Sequence, residues 1–261
     1  MFKLDKRVSG PWRAALALAC LMVGLAAPVA CATELRIVTI DSAPFGFVGE
    51  DGKPTGMMYE IGNLIAKEAG LAYTNDITPY ARTAIEVAIG KADFVLRYSS
   101  PELTEGAHQI AGVLSLPTII VAKPSFKLNT LADLRGKTVG RPRGGRFDDT
   151  FDADQEISKF LVADYSQMLK MLMSDRLDAG IGSSIGIFYN AHLLGIKKEQ
   201  LGKPLVLSTQ TFELHFSKKT ADEATIAALK TAVERLKKRN DIKKIVDKYL
   251  GTFDWRLSTA P

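Results

Sequence analysis

Three stretches of the chain combine residue types that could do chemistry. The first is Gly-Ser-Ser-Ile-Gly at 182–186, a Gly-x-Ser-x-Gly pattern between an expected strand and an expected helix. That is the setting in which a sharp turn presents a serine nucleophile, here Ser184. Such a serine needs a base within hydrogen-bond reach and an acid to orient that base. His215 is the downstream histidine, but it sits inside the strand-like FELHF, and only Glu199 and Glu213 lie between it and Ser184 as acids. No His-Gly-Gly segment precedes the serine to build an oxyanion hole, so hydrolysis is the minor reading. The second stretch, KADFVLRYSS (91–100), stops an apolar run on Arg97, Tyr98, Ser99 and Ser100. The third, GRPRGGRF (140–147), sets Arg141, Arg143 and Arg146 around Gly144 and Gly145. A planar guanidinium matches the two oxygens of a carboxylate, so both stretches are candidates for holding a small anion. His108, His192 and His215 are scattered and show no metal-ligand spacing. The acidic FDDTFDADQE (147–156) lacks the glycine that a calcium loop needs and reads as solvated surface. No metal or cofactor is expected.

The elements that must position these residues alternate. LRIVTI (35–40) reads as a strand, GEDGKPTG (49–56) as turns, and 57–70 as a helix ended by Gly70. A second helix is expected over Ala81–Ile89, closed by Gly90, and a strand over Asp93–Leu96. The apolar segment 112–124 is expected to break at Pro117. Beyond about 125 come a short helix, a strand at Thr138–Gly140, an amphipathic helix at 166–175, a further strand-to-helix unit at 176–195, and a strand-like 203–219. The last forty residues are helical, with Ile226, Leu229, Val233 and Leu236 on one stripe. This alternation implies an α/β protein with largely parallel sheets. KADFVLRYSS and RLDAGIGSSI repeat one pattern: a basic residue, Asp, an apolar run, then Ser-Ser. Two such strand ends would form the two walls of one cleft, because ligands of open α/β sheets sit beyond the carboxyl ends of strands.

Residues 1–32 read as a signal peptide: Lys3, Lys6, Arg7 and Arg13 precede an uncharged Ala14–Ala27, and Ala30-Cys31-Ala32 suits cleavage after about Ala32. The segment carries +3 of the chain's formal +5 and both cysteines, Cys20 and Cys31. The remaining 229 residues are then only about +2 and have no disulfide to lean on. They show no basic run with interleaved aromatics, which argues against nucleic acid as a partner. An uncleaved anchor and a lipid-modified Cys31 are the alternatives. The reading places the protein in the periplasm.

The order of five stretches resembles the family-3 extracellular solute-binding proteins, the polar amino-acid receptors of ABC importers. They are 35–70, GKADFVL (90–96), LADLRGKTVG (131–140), RLDAGIG (176–182) and LKKRNDIKKIVDKYLG (236–251). The resemblance implies a two-lobed type 2 periplasmic binding fold, with two open, mostly parallel sheets joined by a two-strand hinge. Lobe 1 would be 33–117 plus 209–261 and lobe 2 118–208, with crossings near Pro117 and Ser208–Thr211. It also implies a monomer that closes over a small organic solute and presents it to a membrane permease. A sensor protein is the alternative partner, and a dehydratase activity on the same fold is a remoter alternative function. Two family features are missing. Gly106, Ala107 and His108 stand where an arginine usually grips the α-carboxylate, and Ser183, five residues after Asp178, replaces the aspartate that holds the α-ammonium. A buried zwitterion without those partners would keep unpaired charges. The implied ligand is therefore carboxylate-bearing but not a standard α-amino acid. The implied site comprises Phe45, Tyr80, Arg82, Arg97, Tyr98 and Ser99 from lobe 1, and Arg143, Gly145, Arg146 and Ser183 from lobe 2. The plainer readings are that Arg97 pairs with Asp93 or Glu102, that Phe45 is core, and that Asp93 and Asp178 brace strand starts.

Overall fold

The computed structural model describes residues 34–250, excluding the side chain of Leu250. The expected leader, Cys31 and the last eleven residues lie outside the described residues. Ten strands form in chain order: β1 Leu35–Ile40, β2 Phe47–Val48, β3 Pro54–Thr55, β4 Tyr73–Thr78, β5 Phe94–Arg97, β6 Ala107–Ala122, β7 Thr138–Pro142, β8 Ser158–Val162, β9 Ala179–Ser183 and β10 Leu205–Ser217. The helices are α1 Met57–Glu68, α2 Tyr80–Ala88, α3 Pro101–Gly106, α4 Asp149–Ala153, α5 Tyr165–Met173, α6 Ser184–Leu193, α7 Glu223–Lys238 and α8 Asp241–Leu250.

Eight strands make one hydrogen-bonded series in the order β4-β1-β5-β10-β6-β9-β7-β8. The flanks are parallel: β1 with β4 and β5, and β7 with β8 and β9. The long strands β6 and β10 run antiparallel to each other and to β9 and β5. The two expected sheets are thus continuous through their connecting strands. Register shows how loosely they are joined. β5 pairs with β10 only at Glu213–Phe216, and β9 pairs with β6 only at Thr118–Ala122. Between them Leu114–Pro117 faces Thr209–Phe212 as a ribbon of two strands.

That ribbon corrects the expected break at Pro117. β6 runs unbroken through the proline, which pairs with Thr209. The physical reason is that β9 begins pairing one residue later, so β6 has an open side at Pro117 where a missing N–H breaks no ladder. Strands β4 and β8 and helices α3 and α4 carry weak patterns and were not expected. β8 keeps Phe160 and Leu161 exposed, so it lacks the alternation of a half-buried strand.

Both aspartates of the repeated pattern brace strand starts. Asp93 accepts from the Arg36 backbone N–H at 2.7 Å and from its guanidinium at 2.8 Å. Asp178 accepts from the Thr138 N–H at 2.7 Å. Each carboxylate thereby ties its own strand to the neighbouring parallel one. One continuous core fills the space between sheet and helices on both flanks, and a smaller cluster of Val38, Ala84, Val87, Ala92, Val95, Leu103 and Ala107 seats α2 and α3.

Candidate functional site

Carboxyl ends from both flanks of the sheet converge. β1 leads into Asp41–Phe45, β4 into α2 at Tyr80, and β5 ends on Arg97; opposite them, β7 leads into Arg143–Phe147 and β9 ends on Ser183. Side chains alternate along β5, so Phe94 and Leu96 join the main core, while Val95 and Arg97 turn to the α2 side. Arg97 is only 1% exposed. Its guanidinium makes four hydrogen bonds: Nε to the Tyr98 carbonyl at 3.1 Å, Nη1 to the Tyr80 carbonyl and to Thr83 Oγ1, both at 2.8 Å, and Nη2 to the Gly144 carbonyl at 3.2 Å. It also stacks on the Tyr80 ring at 4.3 Å. No carboxylate lies within ion-pair distance among the described residues, so neither Asp93 nor Glu102 is its partner; Asp93 pairs with Arg36 instead.

Beside the arginine, Tyr98 packs on Phe212 at 4.2 Å, Phe212 on Phe45 at 5.1 Å, and Phe45 faces Tyr165 at 6.4 Å. The hydroxyls of Tyr80 and Tyr98 are buried without a protein partner, as are those of Ser42 and Thr118. Burial holds the Tyr98 phenol well above its ordinary pKa, reinforced by the nearby phenols of Tyr165 and Tyr80. Across the cleft, Tyr165 hydroxyl accepts from the Ser183 N–H at 3.2 Å and lies 3.3 Å from Ser183 Oγ. Ser183 Oγ in turn caps α6 by accepting from the Gly186 N–H.

Two cavities flank Arg97. One, of about 370 Å³, is lined by Asp41, Ser42, Ala43, Pro79 and Tyr80 from one side and Ala163, Asp164, Ser166 and Asn190 from the other. The second, of about 420 Å³, lies between Ser100–Glu102 and the segment from Arg141 through Gly144, Gly145 and Arg146 to Ala153. Through its hydrogen bonds Arg97 joins Tyr80, a wall of the first, to Gly144, a wall of the second.

The structure brings Phe45, Tyr80, Arg97, Tyr98, Gly145 and Ser183 toward this region, keeps Arg146 on the wall of the second cavity, and leaves Arg82, Ser99 and Arg143 outside both cavities. Phe45 is fully buried in the aromatic cluster, so it is core and lines neither cavity. Arg82 lies on the exposed face of α2, two residues round from Tyr80. Ser99 is exposed, with its hydroxyl 3.4 Å from Thr104 Oγ1. Arg146 is exposed and bonded to Asp149 at 2.9 Å, and Arg141 to Asp152 at 2.7 Å, so acidic neighbours already meet both charges. Arg143 is exposed and makes no ion pair among the described residues. The acidic stretch expected to be plain solvated surface thus partly neutralises the arginine loop.

The serine motif has a different explanation. A Cβ at Gly182 would lie 2.1 Å from the Tyr165 ring, and one at Gly186 2.4 Å from it. The two glycines make room for that tyrosine. His215 stands seven residues along β10 from Ser208, which pairs with Thr118, the partner of Ser183. At about 3.4 Å per residue, His215 is roughly 20 Å from the Ser184 turn, too far to act as its base. Burial, and then the positive charge of Arg97, push His215 down to a pKa of about 4.

Tyr165, Phe212, Thr118 and Asn190 also belong to the region and were not anticipated. Tyr165 and Asn190 carry no local motif, and Phe212 and Thr118 sit in the connecting strands, where sequence suggests only core.

Several solved structures share the fold. The crystal structure of the solute receptors for L-cysteine of Neisseria gonorrhoeae superposes with a TM-score of 0.72 at 18% identity, covering 87% of this chain and 94% of that one. An amino acid ABC transporter substrate-binding protein from Streptococcus pneumoniae, bound to L-arginine, gives 0.69 at 19%, covering 84% and 94%. A histidine kinase sensor domain similar to periplasmic binding proteins gives 0.72 at 18%, covering 84% and 96%. Among curated proteins none matches the sequence. The two-lobed architecture of these neighbours is that of the present sheet, with its parallel flanks and two connecting strands. The model of the bacterial extracellular solute-binding proteins, family 3, matches residues 35–252, and the chain belongs to that family.

Proposed function

We propose that this protein is an exported receptor that captures a small, carboxylate-bearing solute between two hinged lobes and hands it to an ABC permease. One observation carries the ligand class. Arg97 is a fully buried guanidinium with no carboxylate within ion-pair distance among the described residues, hydrogen-bonded to carbonyl and hydroxyl oxygens alone, while Glu102 feels its charge from farther off. A buried charge without a counter-charge is costly, and an anion beside it lowers that cost. On the adjoining strand, burial above all, and then the charge of Arg97, depress the pKa of His215. Tyr80 and Tyr98 would offer hydroxyl donors and ring faces to the rest of the solute, and Ser183 with Tyr165 would form the opposite wall.

The neighbours described as binding arginine or cysteine argue for a small polar ligand. A zwitterion is disfavoured because the positions of the usual charge partners are occupied differently. Gly106, Ala107 and His108 form the junction of α3 and β6, and Ser183 is committed to capping α6. The hinge in this reading is the ribbon of Leu114–Pro117 and Thr209–Phe212, which divides lobe 1 (33–117 and 209–261) from lobe 2 (118–208). The sensor-domain neighbour favours a second reading, in which the closed form reports its solute to a membrane sensor.

A thermal-shift screen of organic acids, zwitterionic amino acids and polyamines tests the ligand class, since a bound solute raises the melting temperature by mass action. Stabilisation by mono- or dicarboxylates, lost in Arg97→Met, is the expected result. Stabilisation by ordinary amino acids alone would overturn it.

A further inference from the structure

We infer that Arg97 and Gly144 form a built-in clasp that holds the cleft closed in the absence of any solute, the Gly144 carbonyl taking the place on Nη2 that a solute oxygen would occupy. The inference rests on the receptor reading for its two hinged lobes. Three of the four hydrogen bonds of Arg97 stay within its own side of the sheet, at Tyr80, Thr83 and Tyr98; the fourth, to Gly144, crosses the cleft. The crossing bond is not a loose approach. Gly144 sits at φ +79°, and a Cβ there would lie 2.9 Å from Ala81 Cα, so the loop after β7 seats directly on the first turn of α2. Elsewhere along the cleft, Asn190 on α6 donates to the Ala43 carbonyl at 2.6 Å, and the Gln210 amide donates to the Phe147 carbonyl.

These contacts satisfy a buried cation with the chain's own carbonyls. An arriving anion therefore competes with Gly144 for Nη2, and recognition selects solutes whose acceptor oxygen outbids a neutral peptide carbonyl. A carboxylate does so because its full negative charge attracts the guanidinium across a low-dielectric interior, where a carbonyl offers only a dipole. Because Arg97 bonds to a wall residue of each cavity, Tyr80 and Gly144, releasing the clasp would loosen the boundary between them.

The test needs no solute. Protein is unfolded, dialysed free of small molecules, refolded and measured by small-angle X-ray scattering, with native mass spectrometry to establish that nothing is bound. Wild type should give the scattering curve calculated from the closed coordinates. Arg97→Met and Gly144→Ala should each give a larger radius of gyration with an unchanged far-ultraviolet circular dichroism spectrum. Gly144→Ala breaks the clasp by pushing the loop off α2 while leaving the buried arginine untouched, so it stands if Arg97→Met fails to fold. A solute-free wild type that is already open, or variants as compact as wild type, would overturn the clasp. The receptor reading fails separately, on the solute screen.

Discussion

At the residue scale, unpaired or tightly packed groups say most about what the protein does. Arg97 is the largest fully buried side chain, and it ends a strand that would otherwise be plain core. His215, also 1% exposed, lies close enough to feel its charge. The histidine makes a pH prediction. Its folded pKa, about 4, lies below the unfolded value of 6.5, so the unfolded chain takes up the proton first as pH falls. Its contribution to stability is complete above pH 6.5 and declines from there down to about pH 4, by up to about 3 kcal/mol at 1.36 kcal/mol per unit. Urea unfolding at a series of pH values should show that decline in wild type and a flatter profile over the same interval in His215→Gln. The Gly-x-Ser-x-Gly motif yields the opposite kind of prediction. Gly186→Ala should lower stability by about 1–3 kcal/mol, because the new methyl group overlaps the Tyr165 ring. Ser184→Ala should leave solute affinity unchanged, and a fluorophosphonate probe should fail to label Ser184 in wild type.

At the scale of elements, several helices begin at short polar side chains that stop them from unravelling. Asp148, Asp164 and Asp222 each accept a backbone N–H from the first turn that follows. Asp222 caps the longest helix, α7, through the Thr225 N–H at 2.8 Å, and that bond holds its pKa below the ordinary value. Asp222→Ala should cost about 1 kcal/mol at neutral pH. Since the folded pKa is depressed, the cap's contribution is present above the unfolded pKa and fades as pH falls through the folded one. The difference between the variant and wild type should therefore shrink below about pH 4 in thermal melts. Much of this layer is legible in sequence. β1, α1, α2, β5, α5, β9 with α6, and the two terminal helices announce themselves by periodicity and by glycine or aspartate at their ends. β8 does not, because its exposed Phe160 and Leu161 break the alternation, and β6 does not, because Pro117 looks like a stop until the one-sided pairing is seen. The candidate site was half legible. Arg97, Tyr98 and Tyr80 stood out as polar or aromatic residues at strand and helix boundaries. The partners that define their roles, Gly144, Phe212 and Tyr165, come from segments 47 to 115 residues along the chain from Arg97 and leave no local trace.

At the scale of the whole molecule, the sheet is stiff on its flanks and thin in its middle. Parallel strands braced by Asp93 and Asp178 form the two walls, and a two-strand ribbon joins them, the kind of construction that permits rotation of one body against another. In the clasp reading, the hydrogen bonds from Arg97 to Gly144 and from Asn190 to Ala43 hold the cleft closed. Asn190→Ala should weaken closure while leaving the fold intact, read as a lower affinity for the best organic acid with a melting temperature of the free protein within a few degrees of wild type. The central claim is that a buried guanidinium with no ion-pair partner among the described residues selects an anion. Isothermal titration of the best organic acid beside its uncharged primary amide tests it most directly, because the two differ in charge and hardly in shape. The account predicts at least about tenfold tighter binding of the acid, about 1.4 kcal/mol, from the Coulombic attraction to Arg97 that a neutral amide lacks; equal affinities for acid and amide would contradict it.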